Sequence, residues 1–242
     1  YVTGCLGFIG SYVTRKCLEK GWMVRGVDKV TYAANEELLE EFSSYSNFVF
    51  ERKDIKDIDF LYDCDYVINT AAESHVGDID AGSHKESDVL KPSNPYSAAK
   101  AAADMLVLAW ARTYGVEYIL LRPTNNYGIG QYPEKLIPLA TKNLLRGKKI
   151  RLHNNGTPIR NWLHADDTAE AVMTIIESGH VNEIYNVAGG FEQTNLETVK
   201  KIIKSYYNEE VDYQNYIDFS FSRPGQDVRY ALEDKKLRKL GW

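Results

Sequence analysis

Along the first 76 residues, short apolar runs alternate with stretches whose apolar residues recur at helical spacing. Tyr1-Val2-Thr3 reads as the end of a strand, and a glycine-rich turn follows it. Phe8 to Lys20 reads as a helix, with Phe8, Ile9, Tyr12, Val13, Cys17 and Leu18 spaced to share a face. Met23 to Val27 predicts a second strand ending at Asp28, and Glu36 to Phe42 a short helix. Phe48 to Glu51 predicts a third strand and Asp65 to Asn69 a fourth. Strands alternating with helices predict an α/β fold built on a doubly wound parallel sheet with right-handed crossovers.

The alternation breaks between Val76 and Pro95, where Gly77 to Asp88 is polar and turn-like. A helix is predicted from about Tyr96 to Tyr114, then a strand over Glu117 to Leu121. Parallel neighbours need a crossover of about a dozen residues or more. One crossover helix and one strand of the expected sheet therefore have no counterpart in this chain. Beyond Arg122, Asn125 to Pro138 reads as a polar loop. Helices are predicted over Leu136 to Arg146, stopped by Gly147, over Asp166 to Ser178 and over Leu196 to Tyr206. Glu183 to Val187 predicts a strand, Arg223-Pro224-Gly225 a turn, and Glu233 opens a charged helix. This second half reads as a smaller C-terminal lobe folded against the first.

Composition sets the class. Hydrophobic residues make up 44% of the 242 and charged residues 26%, as in globular rather than disordered chains. A net charge of -5 argues against a nucleic-acid partner, while leaving room for local basic pockets that hold a small anion. Three cysteines, odd in number and without metal-ligand spacing, read as reduced thiols of a cytoplasmic protein with no metal site. No run of about 18 apolar residues is present, so no membrane span is expected. Tyr1 to Gly10 has neither the basic start nor the long apolar stretch of a signal peptide. The chain starts without Met and inside a strand, so further residues are expected ahead of it.

Thr3-Gly4-Cys5-Leu6-Gly7-Phe8-Ile9-Gly10 spaces three glycines as G-x-x-G-x-x-G between a strand and a helix. Glycines permit a tight turn and let the backbone approach a pyrophosphate, which the helix N-terminus then faces with free N–H groups. Such a pattern alone is often only a turn. Its context adds Asp28, 18 residues past Gly10 at the end of the second strand, where an acid accepts hydrogen bonds from ribose hydroxyls. An acid there also repels a 2′-phosphate, so the cofactor expected is NAD rather than NADP. Asp54-Ile55 follows the third strand; the acid is placed to reach an adenine amino group, or it is a solvated turn acid.

Tyr96-Ser97-Ala98-Ala99-Lys100 sets a phenol and an ammonium four residues apart on one helix face. A phenol with a pKa of about 10 is a poor base at neutral pH. A neighbouring ammonium and a bound nicotinamide cation both favour the phenolate. Tyr96 is thus a candidate base for a hydroxyl proton during hydride transfer. The plain alternative is a surface i,i+4 pair; the dinucleotide pattern is what tips the reading.

These two motifs together resemble the extended short-chain dehydrogenase/reductase family, and within it the nucleotide-sugar 4,6-dehydratases. The resemblance runs over essentially the whole chain. It includes Asp28 to Ala33, Asn69 to Val76, and, most specifically, Asn125-Asn126-Tyr127-Gly128 followed by Gln131 to Pro138, a segment that differs in the related 4-epimerases. What it implies is an extended short-chain dehydrogenase fold, with an NAD-binding Rossmann domain at 1–124 plus 163–188 and a nucleotide-sugar lobe at 125–162 plus 189–242. It implies cofactor contacts from Gly4, Gly7, Phe8, Ile9, Gly10, Asp28, Lys29, Thr31, Asp54, Ile55, Ala71, Ala72, Tyr96 and Lys100, the last two being catalytic as well. Substrate contacts are implied at Glu73, His75, Asn125, Asn126, Glu134, Lys135, Leu136, Arg160, Asn195, Arg223 and Gln226. Arg160 and Arg223 suit a diphosphate because a guanidinium binds phosphate in a bidentate manner.

The implied reaction is the dehydration of a nucleoside-diphosphate hexose, dTDP-glucose foremost, to its 4-keto-6-deoxy sugar. Three readings stand beside it: a 4-epimerase or a decarboxylase of the same fold, and a dinucleotide-sensing protein without catalysis. The resemblance also implies a homodimer, toward which the surplus apolar residues Met105, Leu106, Val107, Leu108 and Trp110 of the Tyr96 helix point, unless they pack within the subunit. The chain departs from the family twice. Gln226 stands where the family usually has histidine, and glutamine cannot become a cation. The family's helix, strand and Ser/Thr-Asp-Glu-x-Tyr-Gly motif, source of the elimination acid and base, are missing at a join near Val76/Gly77.

Overall fold

A computed structural model describes residues 1–59, 61, 63–70, 83–92, 94–222 and 228–242. In chain order, the first half holds β1 (Val2–Thr3), α1 (Phe8–Glu19), β2 (Val24–Asp28), α2 (Leu38–Ser43), β3 (Phe48–Arg52), β4 (Ile68–Asn69) and α3 (Pro95–Tyr114). The middle holds β5 (Ile119–Pro123), β6 (Asn125–Tyr127), α4 (Leu136–Leu145), β7 (Ile150–His153), β8 (Ile159–His164) and α5 (Ala165–Ser178). The last part holds β9 (Glu183–Val187), β10 (Phe191–Thr194), α6 (Asn195–Tyr207), β11 (Ile217–Phe221), β12 (Arg229–Tyr230) and α7 (Lys235–Arg238).

The glycine turn sits over a parallel sheet of order β3-β2-β1-β4. Strands buried on both faces need apolar side chains throughout, and Val2, Val24 and Val27 are all buried. Helix α1 lays Val13, Cys17 and Leu18 on this sheet and packs along α5, with Leu6, Phe42 and Met173 completing the core. A second parallel pair joins β5 to β9. Among the described residues β4 and β5 do not pair, so the parallel strands form two groups. The division falls across the stretch where the strand and helix alternation of the sequence breaks.

In the smaller lobe β8 is central. It runs antiparallel to β10 and parallel to both β6 and β12. A separate pair, β7 with β11, joins α4 and α6 around Ala140, Leu144, Ile150, Val199, Ile203 and Ile217. The last helix returns to the first half: Leu237 is buried with Tyr185 and Val187, and Trp242 Nε1 donates to the Asp167 carbonyl at 3.1 Å.

Several sequence expectations need correction. Of the strand expected at Asp65 to Asn69, only Ile68 and Asn69 pair; Tyr66 and Val67 are exposed, and Tyr66 stacks on Trp22. Asn125 to Pro138 is not all loop, because Asn125–Tyr127 is a strand. Its polar side chains hid it, yet backbone pairing with β8 supplies the ladder. Strands β7, β8, β10, β11 and β12 went unread for the same reason: in β8, apolar Ile159, Trp162 and Leu163 are interleaved with Arg160, Asn161 and His164. Helix α2 begins two residues later than expected, and β5 is shifted two residues toward the C-terminus. The turn expected at Arg223-Pro224-Gly225 lies outside the described residues.

Helix α3 is apolar without being buried. Only Ser97 of its residues is fully enclosed, while Met105 is 48%, Leu106 61% and Trp110 57% exposed. Packing within the described part of the subunit therefore half-buries Val107 and Leu108 and leaves Met105, Leu106 and Trp110 uncovered. What ties α3 to the sheet is polar: Arg122, nearly buried on β5, donates from Nε to Asp104 Oδ2 at 2.9 Å.

Candidate functional site

Gly4 leaves β1 with φ of 71°, the left-handed conformation that glycine adopts without strain. Its N–H donates to the Val27 carbonyl at 2.7 Å, and its own carbonyl accepts the Gly7 N–H at 2.9 Å. Gly7 then caps α1 with no side-chain hydrogen bond and no acid in the first turn. The helix therefore presents its N–H groups and positive dipole end to an anion. A Cβ on Gly10 would lie 1.9 Å from the Gly4 carbonyl oxygen and 2.6 Å from Thr70 Oγ1. Only glycine lets α1 approach β1 this closely. Thr70, not foreseen from the sequence, donates to the Thr3 carbonyl at 2.7 Å and fixes this contact from β4's side. Phe8 and Ile9 are half-buried at the mouth of the turn.

Asp28 has backbone partners on both sides. It is 8% exposed; Oδ2 accepts the Leu6 N–H at 3.1 Å and Oδ1 the Val30 N–H at 2.8 Å. One carboxylate thus clamps the glycine turn to the loop after β2, and each oxygen keeps a second lone pair for a hydroxyl. Val30, a β-branched residue, is held at φ 58° by this bond. Burial and then the Asp28 charge push the neighbouring Cys5 thiol up to about 12. Lys29 and Thr31 are exposed beside the clamp. Asp54 serves first as a turn cap: Oδ1 accepts the Lys56 N–H at 3.2 Å, opening the short turn Ile55–Asp57. That bond, with the Lys29 ammonium 3.3 Å from Oδ2, holds its carboxyl below the usual carboxylate range. Ile55 is 42% exposed next to it.

Tyr96 owes its place to the start of α3. Asn94 Oδ1 accepts the Ser97 N–H at 2.9 Å, and Pro95 follows in the first turn. Tyr96 is thereby fixed in the first turn and Lys100 one turn later, both half-buried. Asn94→Ala should cost about 1 kcal/mol, as loss of such a cap does. Urea unfolding at constant slope checks this, and an unchanged midpoint would show that the cap contributes nothing.

In the smaller lobe, register does the assembling. Asn125 lies opposite Trp162, and Gln193 opposite Arg160. Alternation along β8 puts Arg160 and Trp162 on one face, with those two partners beside them. Asn125 Oδ1, Trp162 Nε1 and Gln193 Oε1 are buried there without a hydrogen-bond partner among the described residues. Asn126 is held twice: Oδ1 accepts from Thr168 Oγ1 at 2.6 Å, and Nδ2 donates to the Thr124 carbonyl at 3.0 Å. Asn195 opens α6, its N–H bonded to the Pro158 carbonyl at 2.9 Å beside the Thr194–Glu197 capping box. Lys135 occupies the N-cap of α4 in an exposed ion pair with Glu134 at 3.2 Å, and Leu136 turns into the lobe's core.

The cofactor candidates on β1, α1 and β2 thus form one group, and Asn125, Asn126, Arg160 and Asn195 another on the β8 sheet. Between them lie residues whose spacing carried no functional signal. Tyr12 meets Phe8 and His164 edge-on, and His164 meets Tyr127. Ala71, Ala72, Glu73, His75, Arg223 and Gln226 lie outside the described residues. Among the described residues, no cluster of three metal-ligating side chains is present, and no helix is long and apolar enough to cross a membrane.

A parallel sheet with this turn, an acid ending its second strand and a Tyr/Lys helix defines the Rossmann-type fold of the extended short-chain dehydrogenases. Residues 1–83 match the GDP-mannose 4,6 dehydratase family and residues 77–188 the NAD dependent epimerase/dehydratase family. The dTDP-glucose 4,6-dehydratase of Haemophilus influenzae is 34% identical over 309 residues, covering all of this chain and 91% of that one. The Streptomyces niveus enzyme of the same name is 35% identical, covering all of this chain and 86% of its own. Both alignments are longer than the 242 residues here, so the relatives hold internal residues without a counterpart. The dTDP-glucose 4,6-dehydratase of Streptomyces venezuelae, solved with NAD bound, superposes with a TM-score of 0.92 at 32% identity, over 99% of this chain and 90% of that one. The chain belongs to the dTDP-glucose 4,6-dehydratase family, a branch of the extended short-chain dehydrogenase/reductases.

Proposed function

We propose that this chain dehydrates a nucleoside-diphosphate hexose, dTDP-glucose foremost, to the 4-keto-6-deoxy sugar with NAD as resident cofactor. The observation that carries the proposal is the joining of the glycine turn and Asp28 clamp to the capped Tyr96/Lys100 helix in one fold. The residues fit NAD: glycine at 10 lets α1 pack closely against the Gly4 carbonyl, α1 is uncapped by side chains, and Asp28 retains acceptor capacity. Gly4, Gly7, Gly10, Asp28, Lys29, Thr31, Asp54 and Lys100 would hold it. When bound, NAD supplies the means of removing hydride from sugar C4 and returning it at C6.

The chain's own part is proton handling and grip. Tyr96 takes the proton of the sugar 4-hydroxyl, and the Lys100 ammonium one turn away favours the phenolate that can do so. Arg160, with Asn126 and Lys135, holds the diphosphate end; the unpartnered Asn125, Trp162 and Gln193 atoms leave this sheet face with hydrogen-bonding capacity to spare. Outside the described residues but matched by resemblance, Glu73, His75, Arg223 and Gln226 complete the substrate shell, and Ala71 and Ala72 the cofactor shell. The division of labour follows the lobes: 1–124 plus 163–188 for cofactor, 125–162 plus 189–242 for nucleotide sugar. The exposed apolar side of α3 supports a homodimer, and the free cysteines suit the reducing cytoplasm.

Incubation with dTDP-glucose and with UDP-glucose, read by mass spectrometry, tests the reaction. Dehydration removes one water from the product, and deuterium placed at C4 should reappear at C6. A product of unchanged mass and inverted C4 configuration would replace this reading with epimerisation.

A further inference from the structure

The loop from Gly128 to Lys135 belongs to the substrate lobe, but the cofactor half holds it at two points. Tyr12 of α1 donates from its hydroxyl to the Ile129 carbonyl at 3.1 Å. Tyr32, 74% exposed on the loop after β2, meets Tyr132 edge-on with ring centroids 5.1 Å apart and planes at 74°. Each contact starts from an element that frames the cofactor. Tyr12 lies two residues past Gly10, and Tyr32 is two residues past Val30, whose N–H the Asp28 carboxylate holds. Each also ends on groups tied to substrate candidates. The Tyr132 carbonyl accepts the Lys135 N–H at 3.1 Å, and Gln131 Nε2 donates to the Asn126 carbonyl at 2.8 Å. The chain of contact runs from Asp28 through Val30 and Tyr32 to Tyr132 and Lys135. Space at the foot of the loop is limiting: a Cβ on Gly128 would sit 3.0 Å from Tyr12 Oη and 3.1 Å from His164 Nε2.

We infer that Tyr12 and Tyr32 are positioning residues that couple the two binding sites, so that an occupied nucleotide-sugar lobe holds the cofactor in place and an ordered cofactor loop sets the nucleotide-sugar grip. This rests on the reading of the site given above. An exposed aromatic has little reason to stand against a second lobe unless that lobe's position matters to its own loop. Coupling of this kind is reciprocal in free energy and typically amounts to about 5-fold or more in affinity.

The test uses the NAD-loaded protein and thymidine diphosphate as probe. Calorimetry gives the affinity for thymidine diphosphate, and desalting followed at intervals gives the rate of NAD loss with and without it. In the wild type, thymidine diphosphate should slow NAD loss about 5-fold or more. Tyr32→Ala, and more so Tyr12→Phe/Tyr32→Ala, should weaken thymidine diphosphate and abolish that slowing at a near-unchanged melting temperature. Tyr32→Phe keeps the ring and should behave as wild type. Slowing of NAD loss that persists in the double variant would overturn the coupling, as would a wild type that binds thymidine diphosphate without slowing NAD loss. A wild type that binds no thymidine diphosphate at all would overturn the substrate reading itself, and the coupling with it.

Discussion

Tyr96→Phe should lower turnover about 10²–10⁴-fold, the range typical of losing a positioned acid–base group. The substitution removes one oxygen from a half-buried ring, so its packing against neighbours stays. Helix α3 keeps its Asn94 cap and its Arg122–Asp104 tie, neither of which involves the phenol. Melting temperature and NAD content are therefore expected to match the wild type while the rate of 4-keto sugar formation collapses. Turnover within a factor of two of wild type would remove Tyr96 from the role of base.

The second large effect is expected at the turn. In Gly10→Ala the new methyl would stand 1.9 Å from a backbone oxygen, which no side-chain rotation relieves. Either α1 shifts off β1 or the turn opens, and both disturb the N–H groups offered to the pyrophosphate. Overpacking of a tight site costs about 1–3 kcal/mol and occasionally more. The protein should melt at a visibly lower temperature and be purified without cofactor. Gly7→Ala supplies the graded control, since its Cβ would be 3.1 Å from the same Gly4 oxygen. A Gly10→Ala protein with full NAD content and wild-type melting would mean that α1 does not approach as closely as described.

The first half of the fold was legible because its strands are apolar and its helices amphipathic. The glycine turn and Asp28 could be singled out because their spacing is local in sequence, and the fold brings them together. What spacing could not show is that Asp28 spends two hydrogen bonds on Leu6 and Val30, because those partners depend on how the turn folds back. The substrate lobe was less readable. Strands such as β6 and β12 are two or three residues long and polar, and they exist because β8 offers them a ladder. Likewise the link between Thr168 and Asn126, 42 residues apart in sequence, arises only when α5 is laid beside β6. Motif resemblance marks Asn126 as an expected ligand contact; it says nothing about what holds the amide in place.

The return of α7 to β9 has a bearing on how the protein is made. Leu237 fills a space between Tyr185 and Val187, and Trp242 reaches α5, which itself packs on α1. This part of the fold is thus assembled from segments far apart in the sequence. At about 5–20 residues per second of translation, α1 leaves the ribosome roughly 10–50 seconds before Leu237 does. During that interval the face of β9 that receives Leu237 is uncovered on a nascent chain. An emerging polypeptide with this gap in its core leaves apolar surface open to water until synthesis supplies the last helix.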